Sequence, residues 1–262
     1  MNVDGSEEKK AAPAKAKPPV KHEDSIGALI EKLKPQIAKA LPKHVTPDRI
    51  ARVALTAVRV NPKLGMCNAT SLLGSIMVSA QLGLEINSPL GEAYLIPYLD
   101  KKRNTTEAQF QIGYKGLLKL AHNCGQYKQI TTNAVDEADE FSYAYGLVPE
   151  LKHIPADKPT GNIVKYYAVY HLTNGGFDFK VWSHNKAEAH GKQYSKSYSN
   201  GPWKTNFDQM AMKSVLIDLL RMAPKSIELA RATVSDNQMF TVNPNDPDLN
   251  LDVVETDYEV GE

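Results

Sequence analysis

Three places in the chain bring cationic and flat side chains close together. Lys101-Lys102-Arg103 is a run of cations. Gln111-Ile112-Gly113-Tyr114-Lys115-Gly116 sets a ring and a lysine between two glycines, with Lys119 one helical turn on. Trp203-Lys204 is followed by Lys213, Arg221 and Lys225. Cations so grouped neutralise successive phosphates of a nucleic acid, and rings stack on its bases, each stack contributing about 1–3 kcal/mol. Glycine admits close backbone approach, and the free N–H groups of a helix start hold a phosphate. Each place also has a plainer account. The first is a solvated turn. The second is a strand-to-helix joint that needs glycine for steric reasons, which is compatible with binding. The third is a set of solvated lysines beside a core face of Trp203, Phe207, Met210, Val215 and Leu219. Lys204 and Lys213 lie roughly two and a half turns apart and so on opposite faces of one helix. Lys213, with Leu216 and Leu220, is expected to face an inner groove wall.

Covalent chemistry finds less support. There is no G-x-x-x-x-G-K-[ST] loop, no G-x-G-x-x-G after a strand, and no G-x-S-x-G. His122 and Cys124 lie two apart with no second pair at metal-ligand spacing, and the seven histidines are scattered. Asp178-Phe179-Lys180 echoes the acid-x-Lys end of a metal-dependent nuclease, in which carboxylates hold the metal and lysine steadies the attacking water. No upstream Asp pairs convincingly with it. The nuclease remains an alternative, marked by metal-dependent DNA loss that Asp178→Ala abolishes. A passive DNA-coating protein is another, marked by binding without faster pairing of complementary strands. The expectation is no catalytic residue, no cofactor and no metal.

Composition agrees with a polyanion partner. The net charge of +1 hides an uneven distribution: residues 25–235 carry 26 Lys+Arg against 17 Asp+Glu, whereas 236–262 carry eight acids and no Lys or Arg. A basic body beside an acidic end is the electrostatic footprint of a nucleic-acid binder, although a solvated surface with a disordered tail has the same sum. No apolar run approaches the roughly 18 residues of a membrane helix, and no signal-peptide stretch opens the chain, so a cytoplasmic location is expected. Cys67 and Cys124 have no C-x-x-C partner and are expected to be reduced and structural.

The elements that must position these residues follow from periodicity. Ile26, Leu29, Ile30, Leu33 and Ile37 recur at helical spacing, and Pro35 is expected to split them into two short helices. Thr46-Pro47-Asp48 starts a helix that runs to about Val60. Another begins at Asn68 or Thr70 and stops at Gly83. Strands are expected over 92–99 and 109–113, with 100–106 as the hairpin tip, then a helix over 115–124 ended by Gly125. Four strands follow, at about 127–135, 140–145, 163–172 and 177–182, the last two joined by the Asn174-Gly175-Gly176 turn. Ser183 caps a helix to about Tyr194. Residues 195–202 are a polar loop, 203–222 one long helix, and 226–234 the last helix. The fold class is α+β, an antiparallel sheet interrupted by one helix, with helices at both ends. Residues 1–24 and 236–262 are expected to be disordered around one DNA-binding domain at 25–235.

At these residues the sequence resembles the RecT family of phage single-strand annealing proteins. The resemblance runs through Ala40–Thr46, Gln81–Glu85, Gly91–Tyr98, Ile112–Leu117, Asp136–Phe141, Gly201-Pro202-Trp203, Met210–Ser214 and Pro224–Glu228, in order and spacing across 25–235. It implies an ATP-independent protein of phage-type recombination that binds single-stranded DNA, anneals complements through a duplex intermediate, and works as a homo-oligomeric ring or helical filament. It implies a basic groove, a partner exonuclease and a β-β-β-α core. DNA contacts are expected at Lys101, Lys102 and Arg103, at Tyr114, Lys115 and Lys119, and along the helix of Trp203, Lys204, Lys213 and Arg221. Met212, Ile217 and Asp218 depart from the family habit by standing where Lys or Arg would fit, so Lys213 carries more of the expected role. The apolar segments 26–41 and 50–60 are expected to make subunit contacts. The acidic tail is expected to compete for the groove or to bind a host single-strand binding protein.

Overall fold

In a computed structural model, the described residues are 22–41, 45–100, 104–195 and 198–254. Their order is α1 (His22–Ala40), α2 (Pro47–Val60), a 3-10 turn (Pro62–Met66), α3 (Ala69–Gln81), β1 (Ala93–Asp100), β2 (Thr105–Ile112) and α4 (Tyr114–Asn123). Then come β3 (Tyr127–Asp136), β4 (Glu140–Ala144), β5 (Glu150–Ile154), β6 (Ile163–Leu172), β7 (Phe177–Ser183) and α5 (His184–Tyr194). The chain continues through α6 (Pro202–Thr205), α7 (Phe207–Leu220), α8 (Ile227–Ser235), β8 (Gln238–Val242) and β9 (Leu251–Val253).

The fold is α+β with antiparallel pairing, divided among three sheets rather than held in one. These are β1-β2-β8-β9, β3-β6-β7 and the separate hairpin β4-β5. The strands β3, β6 and β7, followed by α7 packed on their face, form the expected β-β-β-α arrangement. That face buries Tyr166, Ala168 and Tyr170 against Ala211, Val215 and Leu219.

α3 joins the first sheet to the N-terminal helices. Ser71, Ser75 and Ser79 recur every fourth residue and are buried. Ser71 Oγ accepts from the Ala108 N–H at 3.0 Å, Ser75 Oγ donates to the Ala108 carbonyl at 2.8 Å, and Ser79 Oγ donates to the Leu84 carbonyl at 2.8 Å. Beside them, a Cβ at Gly74 would stand 2.8 Å from the Phe240 carbonyl oxygen. Small polar residues thus let β2 and β8 approach the helix while keeping every hydroxyl satisfied.

Four expectations need correction. Pro35 lies inside a continuous α1, because Ile26, Ile30, Leu33 and Ile37 form one buried face whose burial outweighs the lost backbone hydrogen bond. The inward apolar faces of α1 and α2 are packed within the monomer, so any subunit contact of these helices falls to their outer sides, where Leu55 and Val60 of α2 are exposed. The expected long helix from Trp203 breaks at Asn206 (φ −141°, ψ 52°) into α6 and α7, since Trp203 packs onto α5 while α7 follows the sheet. Residues 236–254 are structured: β8 pairs with β2 and buries Met239, Phe240 and Val242, and β9 pairs with β8. The tail expectation thus fails for this stretch. Residues 255–262 and 1–21, together with the Lys101-Lys102-Arg103 tip, lie outside the described residues.

Candidate nucleic-acid interface

A cleft of about 670 Å³ separates the β1-β2 sheet from the α5-to-α7 region. Alternation in β2 builds one wall: Phe110 and Ile112 turn into the core, and Gln109 and Gln111 face the cleft with Ile96 and Tyr98 of β1. The opposite wall comes from α5, the loop after it and α7, through His190, Tyr194, Trp203, Met210 and Ile217. Lys63, exposed on the 3-10 turn, stands at the rim.

The floor is a polar knot at the start of β8. Lys213 Nζ lies 2.7 Å from Asp236 Oδ2 and 2.8 Å from Oδ1, with side chains only 5% and 7% exposed. Asp236 Oδ1 also accepts from the Ile112 N–H at 3.0 Å, and Oδ2 from Asn237 Nδ2 at 2.9 Å. Asn237 takes φ +61°, a region Asn tolerates, and its side-chain and backbone oxygens accept from Gln111 and Gln109 at 3.0 and 2.7 Å. Lys213 thus lies at the cleft floor with its charge already partnered, while Leu216 and Leu220, expected beside it, are buried in the core. Removing either member of the Lys213–Asp236 pair would strand a buried charge.

The aromatic lining divides by exposure. Trp203 is 5% exposed: its ring meets Phe207 edge-on at 5.4 Å, and a Cβ at Gly191 would come within 2.7 Å of it. It shapes the wall. Tyr194 is 68% exposed with its ring 4.7 Å from that of His190, and is the more open of the rings the cleft presents, half-buried Tyr98 standing in the facing wall. Burial, reinforced by nearby Arg221, holds the His190 imidazole below its ordinary pKa, so this residue enters the cleft uncharged at neutral pH.

The other anticipated residues are spread more widely. The Gly113–Gly116 joint is sterically obligatory, since a Cβ at Gly113 would stand 2.2 Å from the Gly91 carbonyl oxygen and one at Gly116 2.2 Å from that of Glu92. Tyr114 is half-buried and packed against the core, while Lys115 is exposed beside Gly91. Lys119 turns away to Glu92 Oε2 and the Gly83 carbonyl, both at 2.9 Å, so it ties α4 to the loop before β1. Lys204 and Arg221 are exposed near opposite ends of the α6–α7 segment. Asp178 of the nuclease alternative accepts the Phe179 N–H at 2.8 Å. Among the described residues no group of three or more His, Cys, Asp or Glu is placed to hold a metal ion. Gln109, Asn237, Lys63 and Tyr194 carried no sequence signal as site residues, because isolated polar side chains acquire meaning only once opposite walls meet.

The sequence that builds this cleft matches a known family. The sequence profile of the RecT family matches residues 48–249. The chain belongs to the RecT family. The match takes in α2 through β8, including both cleft walls and the Asp236 floor. The chain is 37% identical over 231 residues to Protein RecT of Escherichia coli (strain K12), covering 87% of this chain and 86% of that one. It is 34% identical over 169 residues to the uncharacterized protein YqaK of Bacillus subtilis (strain 168), covering 64% of this chain and 56% of the other. RecT-family membership makes this a DNA-binding protein of recombination and single-strand annealing. Among the described residues no helix is long and apolar enough to cross a membrane.

Proposed function

We propose that the cleft between β1-β2 and α5–α7 is where this RecT-family protein holds single-stranded DNA during annealing. The observation that carries the proposal is the lysine at its floor, buried and paired, between a wall of amides and a wall bearing an exposed ring. Amides and hydroxyls meet sugars and phosphates, Tyr194 offers a stacking face, and Lys63 supplies charge at the rim, with Lys204 beyond the cleft. A phosphate reaching the floor competes with Asp236 for Lys213, which favours strands that seat fully. Lys115, Tyr114 and Arg221 extend the contact outside the cleft, whereas Lys119 and Trp203 act by holding its walls.

No bond is broken. Annealing needs phosphate repulsion offset and base edges left open to a second strand, so no ATP is consumed and pairing energy drives the reaction. One subunit offers few cations, and avidity along a strand requires a ring or filament of copies. A partner exonuclease supplies the single strand in the cytoplasm. A host single-strand binding protein is the partner of the acidic end, which otherwise competes for the groove.

The test is annealing of complementary oligonucleotides without nucleotide. Wild-type protein accelerates pairing, and Tyr194→Ala loses affinity by one stacked base, about 1–3 kcal/mol or roughly 5- to 150-fold. Lys115→Ala and Lys204→Ala each lower the salt dependence by about one ion. Pairing no faster than spontaneous, or a Tyr194→Ala protein with unchanged affinity, refutes the assignment.

A further inference from the structure

Two surfaces outside the cleft are apolar, exposed and opposite in charge. The first is the tip between β4 and β5, where Leu147 is 103% and Val148 76% exposed. This tip is held firmly. The Tyr145 ring stacks on Phe179 at 5.0 Å, and its hydroxyl accepts the Val181 N–H at 2.9 Å. At the hairpin base the His153 ring lies between Asp139 Oδ2 at 2.9 Å and the Tyr167 hydroxyl at 3.1 Å. A rigid finger carrying apolar side chains loses little freedom on docking, and exposed apolar surface of this kind marks contact with another molecule. The hairpin that carries the tip is acidic: Glu150 adjoins the tip, and Glu140, Glu137 and Asp157 are exposed toward its base, against Lys152 and Lys158, with Lys152 bound by Glu140.

The second surface is the outer side of α2. Ile50, Ala54, Ala57 and Val58 point into the core, and the outer side shows Leu55 and Val60 among exposed Arg49, Arg52 and Arg59. The acid of this helix, Asp48, is paired with Lys34 at 2.8 Å. A groove of about 410 Å³ runs here, walled by Arg49, Arg52, Val53, Thr56, Val60 and Ile86.

We propose that the β4-β5 tip of one subunit docks in the α2 groove of a second copy of this chain, with Leu147 and Val148 in the apolar slot and Glu150 and the acidic length of the hairpin toward the arginines. Charge selects this pairing, since tip against tip sets acid on acid and groove against groove sets arginine on arginine. The two patches differ, so the contact is heterologous. Each bound pair keeps one free tip and one free groove, and the contact propagates into a ring or a helix. This inference deepens the proposed assembly on DNA but uses no residue of the cleft.

The test is directional cross-linking of the full chain in a Cys124→Ser background, Cys67 being buried. Leu147→Cys and Val60→Cys proteins, mixed and oxidised, should give a disulfide dimer, and the double variant a ladder. Neither single variant should cross-link to itself. A dimer from Leu147→Cys alone, or no product from the mixture, overturns the proposal. In parallel, Leu147→Asp/Val148→Asp and, independently, Arg52→Glu should need at least about tenfold more protein to assemble on long oligothymidylate. Both should bind as wild type to an oligonucleotide too short to bridge two subunits. Assembly equal to wild type in both variants overturns the interface and leaves the cleft standing. Loss of short-oligonucleotide binding by the wild type overturns the cleft reading, while the cross-linking still decides the interface.

Discussion

Asp236→Ala should be among the most damaging single substitutions in the cleft. The carboxylate sits 2.7 Å from the Lys213 ammonium, with both side chains nearly excluded from water, and it also accepts the Ile112 N–H. Its removal strands an ammonium and a backbone donor together. Breaking a buried pair from one side costs about 3–5 kcal/mol. With a urea slope of roughly 3 kcal/mol per molar, the unfolding midpoint falls by about 1 M or more. Lys213→Met should cost less, because Asp236 keeps its bonds from Ile112 and Asn237. The double variant Lys213→Met/Asp236→Leu should be more stable than the sum of the two losses implies, since it strands no charge. Asp236→Asn separates stability from binding: its amide oxygen still accepts from Ile112, but Lys213 is released for a phosphate. Its single-strand affinity should fall with salt more steeply by about one ion. The measurements are urea unfolding of the four proteins and oligonucleotide titration across a salt series. Single variants within about 1 kcal/mol of wild type, or losses that simply add, would refute the buried pair. An unchanged salt slope for Asp236→Asn would refute its competition with phosphate.

Gly116→Ala should destabilise the chain by about 1–3 kcal/mol in the same unfolding assay, because its Cβ meets the Glu92 carbonyl rather than a flexible side chain; wild-type stability would show that the joint relaxes freely. The Asp136 carboxyl is pulled down to about 2 by the Ala138 N–H, with further hydrogen bonds from Thr160 and Gly161. Its stabilisation is therefore present above the ordinary carboxyl value near 4 and is lost as pH falls through about 2. Asp136→Asn should flatten stability against pH over that window, and an unchanged acid limb would contradict this. Burial, with a contribution from Glu107, pushes the Cys67 thiol up to about 12. A thiol reagent at pH 8 should label native protein at Cys124 first and reach Cys67 only after unfolding; rapid labelling of Cys67 would show that α3 and the 3-10 turn open readily.

Local chemistry was legible where a few neighbouring residues decide the outcome. Thr46, Ser183 and Ser226 cap helices as their types require. Gly125 and Gly175 take positive φ at the expected helix end and turn. The ordered motifs identified the family because they hold their order and spacing along most of the chain. Other features were hidden because they depend on distant partners. Pro35 reads as a break until α2 and α3 cover the opposite, apolar face of α1, leaving Pro35 itself exposed. Asn206 carries no breaking signal; the helix parts there because Trp203 and α7 pack in different directions. β8 lies in an acidic, proline-containing stretch whose average composition conceals a short buried strand.

Charge shows most plainly what composition alone decides. An excess of cations over 25–235, the absence of a nucleotide-binding loop and the RecT-like order of motifs are properties of the one-dimensional chain, and they set the class of partner. Which cations remain available is a three-dimensional matter. Lys119 and Lys213 look like Lys115 in the sequence, yet Glu92 and Asp236, distant in the chain, have taken them. Attraction between charges depends on separation and on exclusion of water, and both are set only when α4, α7 and β8 come together around the sheet.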